Sequence, residues 1–162
     1  MNITASTREE SAESKSFRKI LVGYDGSENA KRALATARML MEKFGSELVI
    51  IHAVSVSSYG FVGSAGSGAL DFGKLKVLAI REAETLVHAL GAQLKQEGVE
   101  ARTEVVVDGA SAVGAIAEFA QGEHVDLIVL GTRGLGGFKR LLLGSVSNGV
   151  VAHAPCAVLV VR

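Results

Sequence analysis

Between Gly131 and Ser147 the chain carries the residue types that hold phosphate. Gly131-Thr132-Arg133-Gly134-Leu135-Gly136-Gly137 supplies four glycines and an arginine, and after Leu141-Leu142-Leu143 comes Gly144-Ser145-Val146-Ser147. A glycine has no Cβ, so its backbone can approach an anion and turn N–H groups toward it. A helix opening at Gly144 would add unpaired first-turn amides of Ser145, Val146 and Ser147, the positive end of its dipole, and two hydroxyls. Arg133 lies inside the motif and can neutralise phosphate charge, whereas Lys139 and Arg140 read as a solvated face. The motif is not a Walker loop, because no Gly-Lys-Ser/Thr ends it. Nor is it Gly-x-Gly-x-x-Gly, since Lys139 stands where the third glycine belongs.

The elements that must position these residues are legible from hydrophobic periodicity. Asp126 to Leu130 is a short apolar run, a buried parallel strand that empties into the glycine loop. Ile20 to Tyr24 is a similar strand, followed by the turn Asp25-Gly26-Ser27 and a helix start rich in Ser27 and Asn29 chemistry. Ala30, Ala33, Leu34, Ala37, Leu40 and Met41 recur at helical spacing up to Gly45, a C-cap. Leu48 to Val54 is the second strand. Residues 55–72 are small and glycine-rich, long for a connection in a compact domain. They read as a disordered loop, with a lid carrying Tyr59 or Phe61 as the alternative. Lys74 to Glu97 is an amphipathic helix with Leu75, Leu78, Ala79, Ala83, Leu86, Leu90 and Leu94 inside, stopped by Gly98. Glu100 to Val107 alternates like an exposed edge strand, Asp108-Gly109 turns, and Ala112 to Ala120 is helical. Gly144 to His153 is the last helix, stopped before Pro155, and Ala157 to Val161 the fifth strand. Strands alternating with helices give a single doubly wound α/β sheet of five parallel strands, Rossmann-like, with helices on both faces and right-handed crossovers.

Composition narrows the partners. The 162 residues suit one domain, with residues 1–16 a disordered or loosely docked polar tail and 17–162 the folded unit. Seventeen basic and 17 acidic residues cancel, which leaves no electrostatic footprint for nucleic acid. Cys156 is the single cysteine, so an internal disulfide and a cysteine metal cluster are excluded. It reads as a packed residue, His52 as a core histidine, and His88, His124 and His153 lack metal spacing. No apolar run reaches the roughly 18 residues that span a bilayer, and Met1 to Arg8 has no apolar signal core. A cytoplasmic protein with no membrane partner is expected.

The motif has a further property. Gly131, two residues, Gly134, nine residues, then Gly144-Ser145 is similar to the signature of ATP-binding universal stress proteins. Lys19-Ile20-Leu21-Val22-Gly23-Tyr24-Asp25-Gly26-Ser27 resembles that family's opening strand and acidic turn. Val49 to Ala53 resembles its second strand and Ala152 to Val161 its close. The resemblance implies strand order 3-2-1-4-5, an adenine nucleotide alpha hydrolase-like fold, and a cleft where the order reverses, between the first and fourth strands. It implies ATP held with Mg²⁺ or Mn²⁺. Ala53 would offer backbone N–H and C=O to the adenine. Gly131, Thr132, Arg133, Gly134, Gly136 and Gly137 would meet ribose and phosphates, and Gly144, Ser145, Val146 and Ser147 the outer phosphates. Asp25 would accept from the nucleotide or bear the metal. Gly134→Val is expected to block backbone approach while the fold survives. No nucleophile–base pair is evident, so a nucleotide-binding stress or signalling module is expected, with a slow ATP hydrolase or phosphotransferase and a nucleotide-independent dimeric scaffold as alternatives. In that strand order Ala157 to Val161 is an apolar edge without charge or proline, so a homodimer through the last strand is expected.

Overall fold

The computed structural model describes residues 17–55, 72–108, 111–135 and 143–162. The tail 1–16, most of the 55–72 connection with Tyr59 and Phe61, the Gly109 half of the turn, and Gly136, Gly137, Lys139 and Arg140 lie outside the described residues. The described elements are β1 (Lys19–Gly23), α1 (Glu28–Phe44), β2 (Glu47–Ser55), α2 (Phe72–Gln96), β3 (Arg102–Asp108), α3 (Ala112–Gly122), β4 (Leu127–Gly131), α4 (Ser145–His153) and β5 (Ala157–Val161). All five strands are parallel, in the order β3-β2-β1-β4-β5.

The period-two alternation of the strands sorts the core into two layers. Ile20, Val22, Leu48, Ile50, Leu127 and Val129 point to one face, against Ala30, Ala33, Leu34 and Ala37 of α1 and Leu90 and Leu94 of α2. Leu21, Val49, Ile51, Ile128 and Leu130 point to the other, against Ile116 and Ala120 of α3 and Val150 of α4. The middles of the central strands are buried because helices cover both faces. β3 and β5 are the edges, and their described residues are half-buried or exposed throughout.

Local chemistry sets the ends. Ser27 caps α1, its hydroxyl accepting from the Ala30 amide at 3.2 Å, and Gly45 closes it at φ 66°, a left-handed position a Cβ would strain. At the amino rim one carboxylate oxygen of Asp126 accepts from the Arg18 and Lys19 amides, both at 2.9 Å, while Asp126 donates its own amide to Lys19 O. Asp126 therefore lies just before β4 and staples it to β1. Nearby, Lys19 pairs with Glu123 (3.0 Å) and Glu47 (3.4 Å), and Arg102 pairs with Glu104 (2.7 Å) and Glu123 (3.1 Å). The Arg102 and Lys19 hydrogen bonds pull the Glu123 carboxyl down to about 2.

One helix differs from its sequence pattern. Leu78 is 54% exposed rather than inside. Gly91 abuts Thr103 near the foot of β3. From there α2 climbs at ~1.5 Å per residue against ~3.3 Å per strand residue, so its first turns rise past the sheet and leave Leu78 largely open.

Candidate functional site

The order reverses between β1 and β4, and at the carboxyl rim of that seam lies a cavity of about 1080 Å³. β1 leads into its floor through Gly23, Tyr24 and Asp25, β2 through His52 to Ser55, and β4 through Leu130 and Gly131. α2 adds a wall of Ala79, Glu82, Ala83 and Leu86, α3 contributes Ala112 and Ile116, and Gly144 to Ser147 close the far end. The cavity thus gathers Asp25, Ala53, Gly131, Arg133, Gly134, Gly144, Ser145, Val146 and Ser147 of the residues expected from sequence. Thr132 lies behind the wall, buried, its amide donating to Val161 O at 2.9 Å.

The start of α4 is an open set of donors. Its N-cap is Gly144, at φ −70° and ψ 164°, which has no side chain to cap the helix. Asn148 is the first residue to return an amide, to Gly144 O at 3.0 Å. The amides of Ser145, Val146 and Ser147 therefore have no partner among the described residues, at the positive end of the dipole. Arg133 lines the same end of the cavity, and its Nε is buried without a hydrogen-bond partner among the described residues. Buried polar groups are nearly always paired, so an orphaned arginine nitrogen beside an uncapped helix fits an acceptor-rich anion.

At the opposite end the β1-facing backbone groups of Ala53 have no partner among the described residues. Tyr24 donates to Ile51 O at 2.8 Å, so odd residues of β2 turn their N–H and C=O toward β1. The β1 register ends at Gly23↔Ile51, whereas the β3 side continues through Ala53↔Val106 to Ser55↔Asp108. Ala53 faces a strand that has already turned away. The acceptor it would next have used, Tyr24 O, is taken by the His52 ring at 2.8 Å. A carbonyl only accepts, so His52 carries its proton on Nδ1 there. Ala53 is left with one donor and one acceptor at the cavity, spaced as a strand edge presents them.

Packing demands one glycine of the motif and bears on a second. A Cβ on Gly131 would sit 2.7 Å from the backbone of Asn29, whose side-chain amide donates to Arg133 O at 3.1 Å. A Cβ on Gly134 would collide with the Asp25 carboxylate. Gly134→Val would thus disturb the rim itself, beyond any loss of ligand approach.

Asp25 is a brace: Oδ1 accepts from the Ser27 amide and Oδ2 from the Leu135 amide, both at 3.0 Å. Each oxygen keeps a lone pair for a donor or a cation. The Ser147 hydroxyl, expected at the outer phosphates, instead donates to Gly131 O at 2.7 Å, and the residue is 5% exposed. Only its backbone remains available. Two cavity residues carried no signal in sequence. His52 matters through its ring bond, and Glu82 is one of several charged residues on a helix whose placement needs the fold.

A family model described as the universal stress protein family matches residues 16–162. The chain belongs to the universal stress protein family. A universal stress protein of Thermus aquaticus is 41% identical over 147 residues, covering 90% of this chain and 99% of that one. Among solved structures, the protein MJ0577 superposes with TM-score 0.75 at 27% identity, covering 90% of this chain and 96% of its own. A universal stress protein solved in complex with cAMP superposes with TM-score 0.63 at 24% identity, covering 91% and 98%. Among the described residues of this universal stress protein, no helix is long and apolar enough to cross a membrane and no cluster of three His, Cys, Asp or Glu could hold a metal. Cys156 is half-buried, and burial raises its thiol above the ordinary range, away from thiolate reactivity.

Proposed function

We propose that the cavity binds ATP with Mg²⁺ or Mn²⁺, and that this universal stress protein acts as a homodimeric nucleotide-binding module of a stress response. The observation that carries the reading is the uncapped start of α4, opening into the cavity beside the orphaned Arg133 Nε. Phosphates are the ligand such donors fit. The free N–H and C=O of Ala53 at the other end suit the donor–acceptor edge of adenine. A protein of the same fold is known with an adenine nucleotide, cAMP, which supports the capacity of the fold. The metal, when bound, neutralises phosphate charge, and Asp25 is the carboxylate available to it. Turnover should be slow at most: both Asp25 oxygens already accept from backbone amides, and phosphoryl transfer needs a group that orients the nucleophile.

Titration calorimetry with ATP and MgCl₂ tests it. A Kd in the micromolar range or weaker, about −8 kcal/mol at the strong end, is expected. Ser145→Glu sets a carboxylate over the open amides, favours the helix electrostatically, and should abolish binding with the fold intact. A silent wild-type titration overturns the proposal.

The dimer rests on β5. Val161 O accepts from Thr132 within the sheet, so Val161 and the alternate residues face β4, and Val158 and Val160 turn their backbone groups outward. A two-fold axis would pair that edge with its copy. Light scattering at micromolar concentration should give a two-chain mass. Val160→Pro, which deletes an outward donor but no β4–β5 bond, should give the one-chain mass.

A further inference from the structure

We propose that Glu82 accepts a hydrogen bond from a donor on the nucleoside half of the ligand and so sets which nucleotides the cleft takes. The assignment rests on the nucleotide reading above. The helix places the residue. Gly91 touches Thr103, and nine helical residues back toward the amino end span ~13 Å, which four strand residues match, so Glu82 stands level with the carboxyl rim of β3. Ala83 and Val87 turn inward to the sheet, and Leu86 closes on the turn below, within 3.4 Å of where a Cβ on Gly26 would lie. Glu82 lines the cavity on that same wall, between Ala79 and Leu86.

No cation among the described residues explains its presence. Its neighbours three and four residues away are Leu78, Ala79, Thr85 and Leu86. It makes no hydrogen bond or ion pair among the described residues. An ionised carboxylate is acceptor-only. Against phosphate it is repulsive, and against an N–H or O–H it makes a charge-assisted bond. The topology decides which it meets. α2 packs on β2 and β3, whereas Arg133 and the α4 amides lie past β4, across the seam. Glu82 therefore faces the end where the Ala53 edge is free, away from the phosphate donors. A nucleoside offers two kinds of donor there, an exocyclic amine and ribose hydroxyls.

The experiment is calorimetry of the full chain, wild type and Glu82→Ala, with Mg²⁺ and each of ATP, inosine triphosphate and 2′-deoxy-ATP. Inosine triphosphate replaces the amine by a carbonyl, and the deoxy analogue lacks a hydroxyl. Wild type should bind one of the two analogues at least about tenfold more weakly than ATP, and the analogue names the donor. In Glu82→Ala the affinity for ATP should fall about tenfold and the discrimination against that analogue should shrink by about as much, leaving only what the Ala53 edge contributes. The direction is diagnostic, because removing a merely repulsive charge would tighten ATP binding. Tighter binding, or retained discrimination, overturns the assignment. Silence of wild type with all three ligands sinks the nucleotide reading, and this assignment with it. Glu82 is an exposed helix position, so the variant's melting temperature should match wild type.

Discussion

Ser145 and Ser147 sit two residues apart in one helix turn, yet they should fail in different assays. The Ser147 hydroxyl is committed to Gly131 O at 2.7 Å, inside a site where the residue is 5% exposed. Ser147→Ala removes that bond and leaves a carbonyl at the end of β4 short of a partner. A buried bond of this kind is worth about 1 kcal/mol net, and the stranded acceptor adds about as much, so the loss should be about 1–2 kcal/mol. For a domain of this size that is roughly 3–6 °C in melting temperature. Nucleotide affinity should stay within about twofold, because the hydroxyl never faced the ligand. Ser145→Ala should do the reverse: unchanged melting and a loss on the order of 1 kcal/mol in calorimetric binding. Thermal melts and titrations on the two variants make the comparison. If Ser147→Ala weakens binding tenfold at constant melting temperature, the assignment of that hydroxyl to the fold is wrong.

Asp126→Ala strips the Arg18 and Lys19 amides of their shared acceptor and should cost about 2 kcal/mol or more in urea unfolding; a loss under about 0.5 kcal/mol would refute the staple. Glu123 titrates at about 2 when folded, below its ordinary 4.5, so the stability it contributes is present above pH 4.5 and is lost as pH falls toward 2. Glu123→Gln should flatten the decline of stability across that window, as read by urea titrations at stepped pH. His124 holds φ 53° after α3, where its amide and that of Val125 close the helix on Gln121 O and Ala120 O. His124→Gly should raise stability by about 0.5–1 kcal/mol, because relief of the left-handed strain exceeds the added chain entropy.

The fold was largely legible because its signals are local. β5 begins and ends where the apolar run does, and Ser27 and Gly45 mark α1 by capping chemistry alone. β3 starts at Arg102 rather than Glu100, since Gly98 at φ 76° and the residues after it are still turning out of α2. The motif was legible as spacing, but the reason for each residue was not. Gly131 and Gly134 read as places for a ligand, and over a hundred positions away the Asn29 backbone also forbids a side chain at the first while the Asp25 carboxylate would be displaced by one at the second. Ala53 read as backbone contact only through resemblance; its free edge depends on where β1 turns and on the His52 ring taking Tyr24 O. Glu82 had no signature, because a carboxylate on an amphipathic helix is ordinary until the helix is known to overtop the sheet.

The β1–β4 seam also carries a kinetic consequence. β1 meets β2 about 28 residues on, but it meets β4 only after more than a hundred, through bonds with separations of 108 at Arg18–Asp126, 104 at Asn29–Arg133 and 110 at Asp25–Leu135. Two doublings of loop length add about 1.2 kcal/mol to closure, so β1 and β2 should dock first and the β4 side should join later. The cavity exists only after that second closure. A ligand spanning Ala53 and Ser145 would grip both halves and bind no half alone, acting as a clasp on the last joint to form. Amide exchange at Leu21, Val22, Ile128 and Val129 should slow with nucleotide more than exchange between β2 and β3. Refolding with ligand present should change the rate at which the seam opens far more than the rate at which it forms.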